Sequence, residues 1–387
     1  MNLSLLSRMA RVFTSLAFVA SAFACTNAEN SPPSKTLLIN ESVYARRTIA
    51  DAQLQAVGCV PDEADPVCPI NQIEQAVALG DDTFVLGDGR LYVLRADNSV
   101  TELARNGSGP GELRAPIALG TNQVQGVSVF DIGRMRLISF DRDGKAQEIE
   151  AFPPADFRTP KLRSGSLYAY TLPSGEAIGD LVQGSIVRFV PASSAWTDTL
   201  AWVREPAVSV HGNGEAAVSR LPWDPMLLWD VCDDGEVVLG YSDTWGVEWQ
   251  QQADGAQSRS LRVAFSEDMR QPMSAAEHDS ISRDWLERSP KVPEFQARLA
   301  QRLADKPKYR PALSAVFCGP SNSAILVNSP DFETGIQTVD VLAKDGSLKQ
   351  SIHLRSDLHI VGVSGNQLMA ISASGAADVA YRISLTN

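Results

Sequence analysis

The side chains best equipped for recognition or catalysis in this chain fall in a few loop-like segments. His211, Arg220, Trp223 and Asp224 lie within 204–225, Trp245 lies in SDTWG (242–246), and Phe332 lies in SPDFETG (329–335). Trp285 and Tyr309 lie within 267–311. Aromatic rings interleaved with arginine suit stacking on a sugar or peptide and anchoring a partner protein. The competing reading of Trp223, Trp285 and Tyr309 is structural, as packing of a helical segment. Catalytic spacing is absent from the sequence. The four histidines, His211, His278, His353 and His359, form no HxH or HExxH pattern, and no GxSxG elbow occurs. Asp230 and Asp233 of WDVCDDG offer oxygens to calcium, although a hydrated turn is the simpler reading. No other metal and no cofactor is expected. Gly107, Gly109 and Gly111 resemble a phosphate loop in composition, but no helix and no lysine follow, so they are read as a turn.

These residues must be held by β-structure. Runs of short strands and turns recur about every 40 to 50 residues, the period of propeller blades. Residues 105–144 contain a Gly-rich turn, two short strands, an Asp-containing turn, a third strand and an Asp-Gly turn, and read as one blade. The other blades are read at 76–104, 166–203, 226–265, 312–354 and 358–385. The last has enough residues for only three strands, and the alternating segment 35–50 is expected to supply the fourth and close the ring. Between blades four and five, residues 267–311 break the β pattern. Ser274 and Glu277 form a capping box before HDSISRDWLE, and Phe295, Leu299 and Leu303 recur at four-residue spacing.

The chain has 387 residues and a net charge of −12. Arg8 and Arg11 precede the apolar run Val12 to Ala22, and Ala22-Phe23-Ala24 ends at Cys25, the layout of a secretory signal over residues 1–24. Removing it takes away two arginines and brings the charge to −14. An acidic chain without a basic, aromatic-bearing cluster is not expected to bind nucleic acid. The small residues ending at Cys25 resemble a bacterial lipobox, which implies lipidation of Cys25; plain cleavage after Ala24 is the alternative. Residues 25–34, polar and proline-containing, then read as a tether. Lipidation leaves four of five cysteines. Cys59 and Cys68 bracket a Pro-bounded loop that a disulfide could close, whereas Cys232 and Cys318 occupy equivalent strand ends and are either bonded or two buried thiols.

Three signatures carry a family resemblance: GSGPGEL at 107–113, VSVFDIGRMRLISFDRDG at 127–144, and the helical segment ending in PALSAVF at 311–317. With them the chain, from Lys35 onward, resembles the bacterial six-bladed β-propeller lipoproteins related to NHL-repeat proteins. The resemblance implies an all-β, six-bladed β-propeller with a two-helix insertion between blades four and five, exported and lipid-anchored in the cell envelope or periplasm. It also implies structural roles for Asp131 and Arg136. Most such proteins have no assigned reaction, and relatives bind peptides, glycans or proteins or act as lactonases in the central channel. The expected function is a non-catalytic binding or scaffolding module for an envelope protein, peptide or glycan. The alternative is a channel-sited hydrolase or lactonase using calcium. In a propeller the blade-to-blade connections and the turns between second and third strands share one face, so 105–116, 204–225, 242–246, 267–311 and 329–335 converge there. Elaborated loops on a rigid scaffold are where binding resides.

Overall fold

The computed structural model describes residues 35–39, 44, 48–57, 70–97, 99–122, 126–151, 157–171, 177–178, 181–190, 195–206, 221, 223–251, 259–289, 291–372 and 378–385. Residues 1–34, with Cys25, and Cys59, Cys68, His211 and Arg220 lie outside them. The described chain is a six-bladed β-propeller built from six sheets, each with an antiparallel four-stranded core. Their inner strands are Ile73–Leu79, Pro116–Thr121, Phe157–Arg163, Leu227–Val231, Leu313–Cys318 and Leu358–Ser364, each touching the next around a closed ring.

The composition of each strand follows from its depth. The second and third strands of a blade are covered on both sides by neighbouring blades, so VSVFD (127–131), RLISF (136–140) and AILVN (324–328) are buried at every position. A strand buried on both faces reads as a continuous apolar run rather than an alternating one. The outer strand VTELA (100–104) has water on one side, with Thr101 and Glu102 exposed and Ala104 buried. Apolar side chains accordingly gather into a packed layer at every blade-to-blade junction, including the junction of blade six with blade one.

Closure differs from the expectation. The fourth strand of blade six is Leu54–Val57, paired antiparallel with Leu54 opposite Ile383 and Val57 opposite Ala380, and not a strand from 35–50. Earlier residues instead lie along the outer edges of two other blades. Lys35–Ile39 pairs parallel with the last strand of blade four, and Ile49–Asp51 pairs parallel with that of blade five. The N-terminal segment therefore covers three successive edges. The physical reason is polar satisfaction: each outer strand leaves a row of unpaired backbone groups, and one passing chain satisfies three rows in turn. Blade three also starts earlier than its pattern showed. Its inner strand Phe157–Arg163, FRTPKLR, carries charges that hide its strand character.

Between the last strand of blade four (Arg259–Phe265) and the first of blade five lie helix α1, Ala275–Arg288, and helix α2, Pro293–Leu303. Ser274 accepts a hydrogen bond from Glu277 N (3.1 Å) as the N-cap of α1. Phe295, Leu299 and Leu303 are buried on α2 against Leu221, Trp223, Trp285 and Leu286. This small apolar cluster docks the helices onto the chain that enters blade four.

Candidate functional site

Several motifs that attracted notice in the sequence prove to be filled by the chain itself. The glycine turn holds the carboxylate of Glu112, which accepts from Gly109 N and from Arg105 Nε (2.6 Å). These contacts, the Gly109 amide foremost, hold Glu112 below the usual carboxylate range. A Cβ on Gly107 would lie 2.2 Å from the Glu112 carboxylate, so the loop is shaped around an internal anion. Asp131, fully buried, accepts from the backbone of Arg114 (3.2 Å) and Ala115 (2.8 Å) and lies 3.5 Å from Arg136 Nε. Arg136 Nη2 in turn donates to Glu112 O (2.5 Å), so this pair fixes the entry to blade two.

One concavity is the central channel, a cavity of about 280 Å³ lined by inner strands of all six blades. Its charged groups are Glu74, Lys161, Arg163 and Asp230. Lys161 Nζ sits 3.7 Å from Asp230 Oδ1 and over the rings of Trp229 (5.7 Å) and Phe317 (5.3 Å). Asp230 Oδ2 also accepts from Cys318 N (2.9 Å). Where the inner strands end, Arg163 donates to Asp233 Oδ1 (2.8 Å), Val363 O (3.2 Å) and Cys318 O (3.2 Å), joining blade three to four, six and five. Asp230 and Asp233 thus face cations of the protein itself. Burial, with a smaller push from Asp88, raises the Glu74 carboxyl above its ordinary value.

One further group has the spacing of a metal site: ligand atoms of Cys232, Asp234 and Glu236 lie within 4.8 Å of one another. Its donor chemistry does not fit. Cys232 is bonded to Cys318, with Cα atoms 5.2 Å apart, so its sulfur is no thiolate. Asp234 accepts from Asn322 Nδ2, and Glu236 pairs with Lys344. The disulfide decides between the two readings of this cysteine pair and joins blade four to blade five.

Another concavity lies on the loop-bearing face between blades four and five, a cavity of about 100 Å³. Trp245, Asp331 and Ile336 line it from two blade turns and a strand, Arg270 and Arg310 from the two roots of the helical insertion, and Tyr44 from the N-terminal segment. The roots are fastened together by Arg310 N donating to Gln271 O (3.1 Å) and Met273 N to Lys308 O (3.3 Å). Tyr44 meets Trp245 edge-on with centroids 5.0 Å apart, and Phe265 stacks on Trp245 at 5.0 Å. Arg310 is flanked by Glu277 (3.4 Å) and Asp331 (3.5 Å). Arg270 lies over the Tyr309 ring at 4.5 Å, and among the described residues no carboxylate pairs with it. Beneath, Asn328 Nδ2 donates to Asp340 Oδ2 (2.8 Å), which also accepts from Tyr44 OH (2.6 Å). Among the described residues, four buried polar atoms of this lining have no hydrogen-bond partner: Trp245 Nε1, Arg270 Nε, Arg310 Nε and Asn328 Oδ1.

Of the residues singled out in the sequence, Trp245 lines this cavity and Tyr309 supports it from beneath Arg270. Phe332, 45% exposed, stands in the same turn as Asp331. Trp223 and Trp285 pack the insertion; Trp223 lies on His278 with centroids 5.0 Å apart. Asp224 accepts from Leu221 N (2.7 Å) and pairs with Arg302 of α2 (2.7 Å). Tyr44, Arg270, Arg310 and Asn328 escaped sequence reasoning. The available signal was the placement of two arginines at the two ends of one insertion, where chain geometry brings them together.

No known protein family and no curated protein matches the chain in sequence. Among solved structures it is similar to virginiamycin B lyase from Staphylococcus aureus, at 8% identity and a TM-score of 0.39, covering 87% of this chain and 100% of that one. It is also similar to a gluconolactonase from Xanthomonas campestris (12%, TM-score 0.39, 87% and 99% covered) and to a DUF4221-family protein from Bacteroides vulgatus (11%, 0.42, 87% and 98%). Likeness at this level carries no argument about activity; the six sheets of this chain themselves establish the six-bladed β-propeller.

Proposed function

We propose that this protein is a lipid-anchored propeller of the cell envelope, held through Cys25 and related to the NHL-type lipoproteins. In this reading it binds a protein, peptide or glycan through its insert-bearing face without transforming it. The observation that carries the reading is the cavity at the roots of the insertion. Leaving a buried polar atom unpaired costs about 1 to 3 kcal/mol, and four such atoms line one small cavity. Unpaired polar atoms beside the rings of Tyr44 and Trp245 are what a bound molecule completes. The channel supports the reading from the other side, since Lys161, Arg163, Asp230 and Asp233 are engaged with one another or with the backbone.

The test is an array of peptides and glycans probed with the chain lacking residues 1–25 and with its Trp245→Ala variant. Binding that the variant loses supports this face, and binding that the variant retains contradicts it. Anchoring is tested separately: Cys25→Ser should move the protein from the membrane to the soluble fraction, and unchanged fractionation contradicts lipidation.

The second reading, a channel-sited hydrolase or lactonase, is favoured by one observation, the raised Glu74 carboxyl in the channel. If calcium served such a site, it would raise the thermal midpoint relative to chelator, because a ligand of the native state alone stabilises it. The binding reading expects no calcium shift.

A further inference from the structure

We propose that the cavity at the roots of the insertion takes the carboxylate of a peptide-like ligand, and specifically a C-terminal carboxylate with its neighbouring amide. The assignment rests on the insert-bearing face being the binding face and adds the chemistry of what binds. The lining contains two guanidinium groups and one carboxylate, in a chain whose net charge is −12. That carboxylate, Asp331, is occupied within its own turn, accepting from Glu333 N (3.1 Å), Thr334 N (2.8 Å) and Thr334 Oγ1 (2.9 Å). Its remaining charge, with that of Glu277 behind it, faces Arg310. Arg270 is therefore the surplus cation of the cavity.

The unpaired atoms sort by type in a way that narrows the ligand. Arg270 Nε, Arg310 Nε and Trp245 Nε1 are donors and call for an acceptor, which a carboxylate supplies in its strongest form. Asn328 Oδ1 is an acceptor and calls for a donor. Its orientation is fixed because Nδ2 must face the acceptor-only Asp340. A carboxylate alone offers no donor, whereas the last residue of a peptide offers a carboxylate and, one carbon away, an amide N–H. The apolar part of the lining, Tyr44, Trp245 and Ile336, suits the side chain that this residue bears. A sulfate would satisfy the donors and leave Asn328 and the apolar wall unused, and a hydrogen phosphate, although its O–H could reach Asn328, would leave the apolar wall unused.

Three probes separate the sources of the carboxylate: N-acetylphenylalanine as the terminal acid, N-acetylphenylalaninamide as its neutral match, and N-acetylaspartic acid α-amide as a side-chain acid. Binding to the chain lacking residues 1–25 is read by saturation-transfer NMR and titration calorimetry. The terminal acid should bind at least about tenfold more tightly than the amide, the advantage expected of a charge-assisted hydrogen bond. Arg270→Gln should remove that preference, and Arg270→Lys, which keeps the charge, should restore part of it. Thermal midpoints of both variants report whether the fold is kept. Equal affinity for acid and amide, no binding of the acid, or a preference that survives Arg270→Gln would overturn the proposal. Tighter binding of the aspartate probe would overturn its C-terminal form. Array ligands lost with Trp245→Ala but indifferent to acid or amide would contradict the carboxylate alone and leave the binding face standing.

Discussion

At the scale of single residues, electrostatics supplies the sharpest expectations. The Glu74 carboxyl is raised in the folded protein, chiefly by burial, so the native state holds its proton more tightly than the unfolded chain does. Its contribution to stability is therefore present at low pH and is lost as pH rises from about 4.5 through the folded value. Glu74→Gln should raise the thermal midpoint at pH 7 and flatten its decline between pH 4.5 and 7; an unchanged profile would contradict the assignment. Arg163 behaves differently, since its three bonds tie four blades at the channel end. Arg163→Met should cost about 1 to 3 kcal/mol in denaturant unfolding, because buried carbonyls lose a charged donor. Much at this scale was legible and much was not. Asp131 and Arg136 could be read as architectural from the family resemblance of 127–144. That Glu112 fills the glycine loop could not, because its carboxylate folds back onto Gly109, and periodicity carries no information about such a return.

At the scale of elements, the helices were legible because their signals are local: a cap at Ser274 and apolar spacing on α2. The N-terminal segment was not, because short strands that pair with distant edges have no internal period that names their partners. Its pairing makes graded predictions. Tyr44→Phe removes the hydroxyl that serves the buried Asp340 and should cost about 1 to 3 kcal/mol. Deleting residues 1–48 leaves Leu54–Val57 in place and should give a closed, cooperatively unfolding propeller of lower stability. Deleting residues 1–57 strips the edge of blade six and should abolish that cooperativity in circular dichroism melts. The disulfide closes a separation of 86 residues between blades four and five. Replacing Cys232 and Cys318 together with alanine should lower unfolding free energy by about 4 to 5 kcal/mol. A loss below 1 kcal/mol would mean that packing alone holds this junction.

At the scale of the whole molecule, the ring assigns each part a place. Six apolar layers between blades fix the scaffold, and the tight turns carry the disulfide and the Arg163 contacts at one end of the inner strands. The roots of the insertion and the turns bearing Trp245 and Asp331 meet at the other. Sorting loops by face was enough to point to the correct end for Trp245 and the insertion, because blade connectivity alone determines which loops share a face. It was not enough to find the cavity, which needs Arg270 and Arg310 brought together by the fastened roots and Tyr44 delivered from the N-terminal segment. The central claim is that recognition happens there and not in the channel. Hydrogen exchange of the chain lacking residues 1–25, with and without an array-selected ligand at saturation, tests it most directly. Slowed exchange at 242–246, 268–273, 308–312 and 329–336, with 73–79, 157–163 and 358–364 unchanged, is the predicted result. Protection confined to the three inner-strand segments would contradict the account and place the site in the channel.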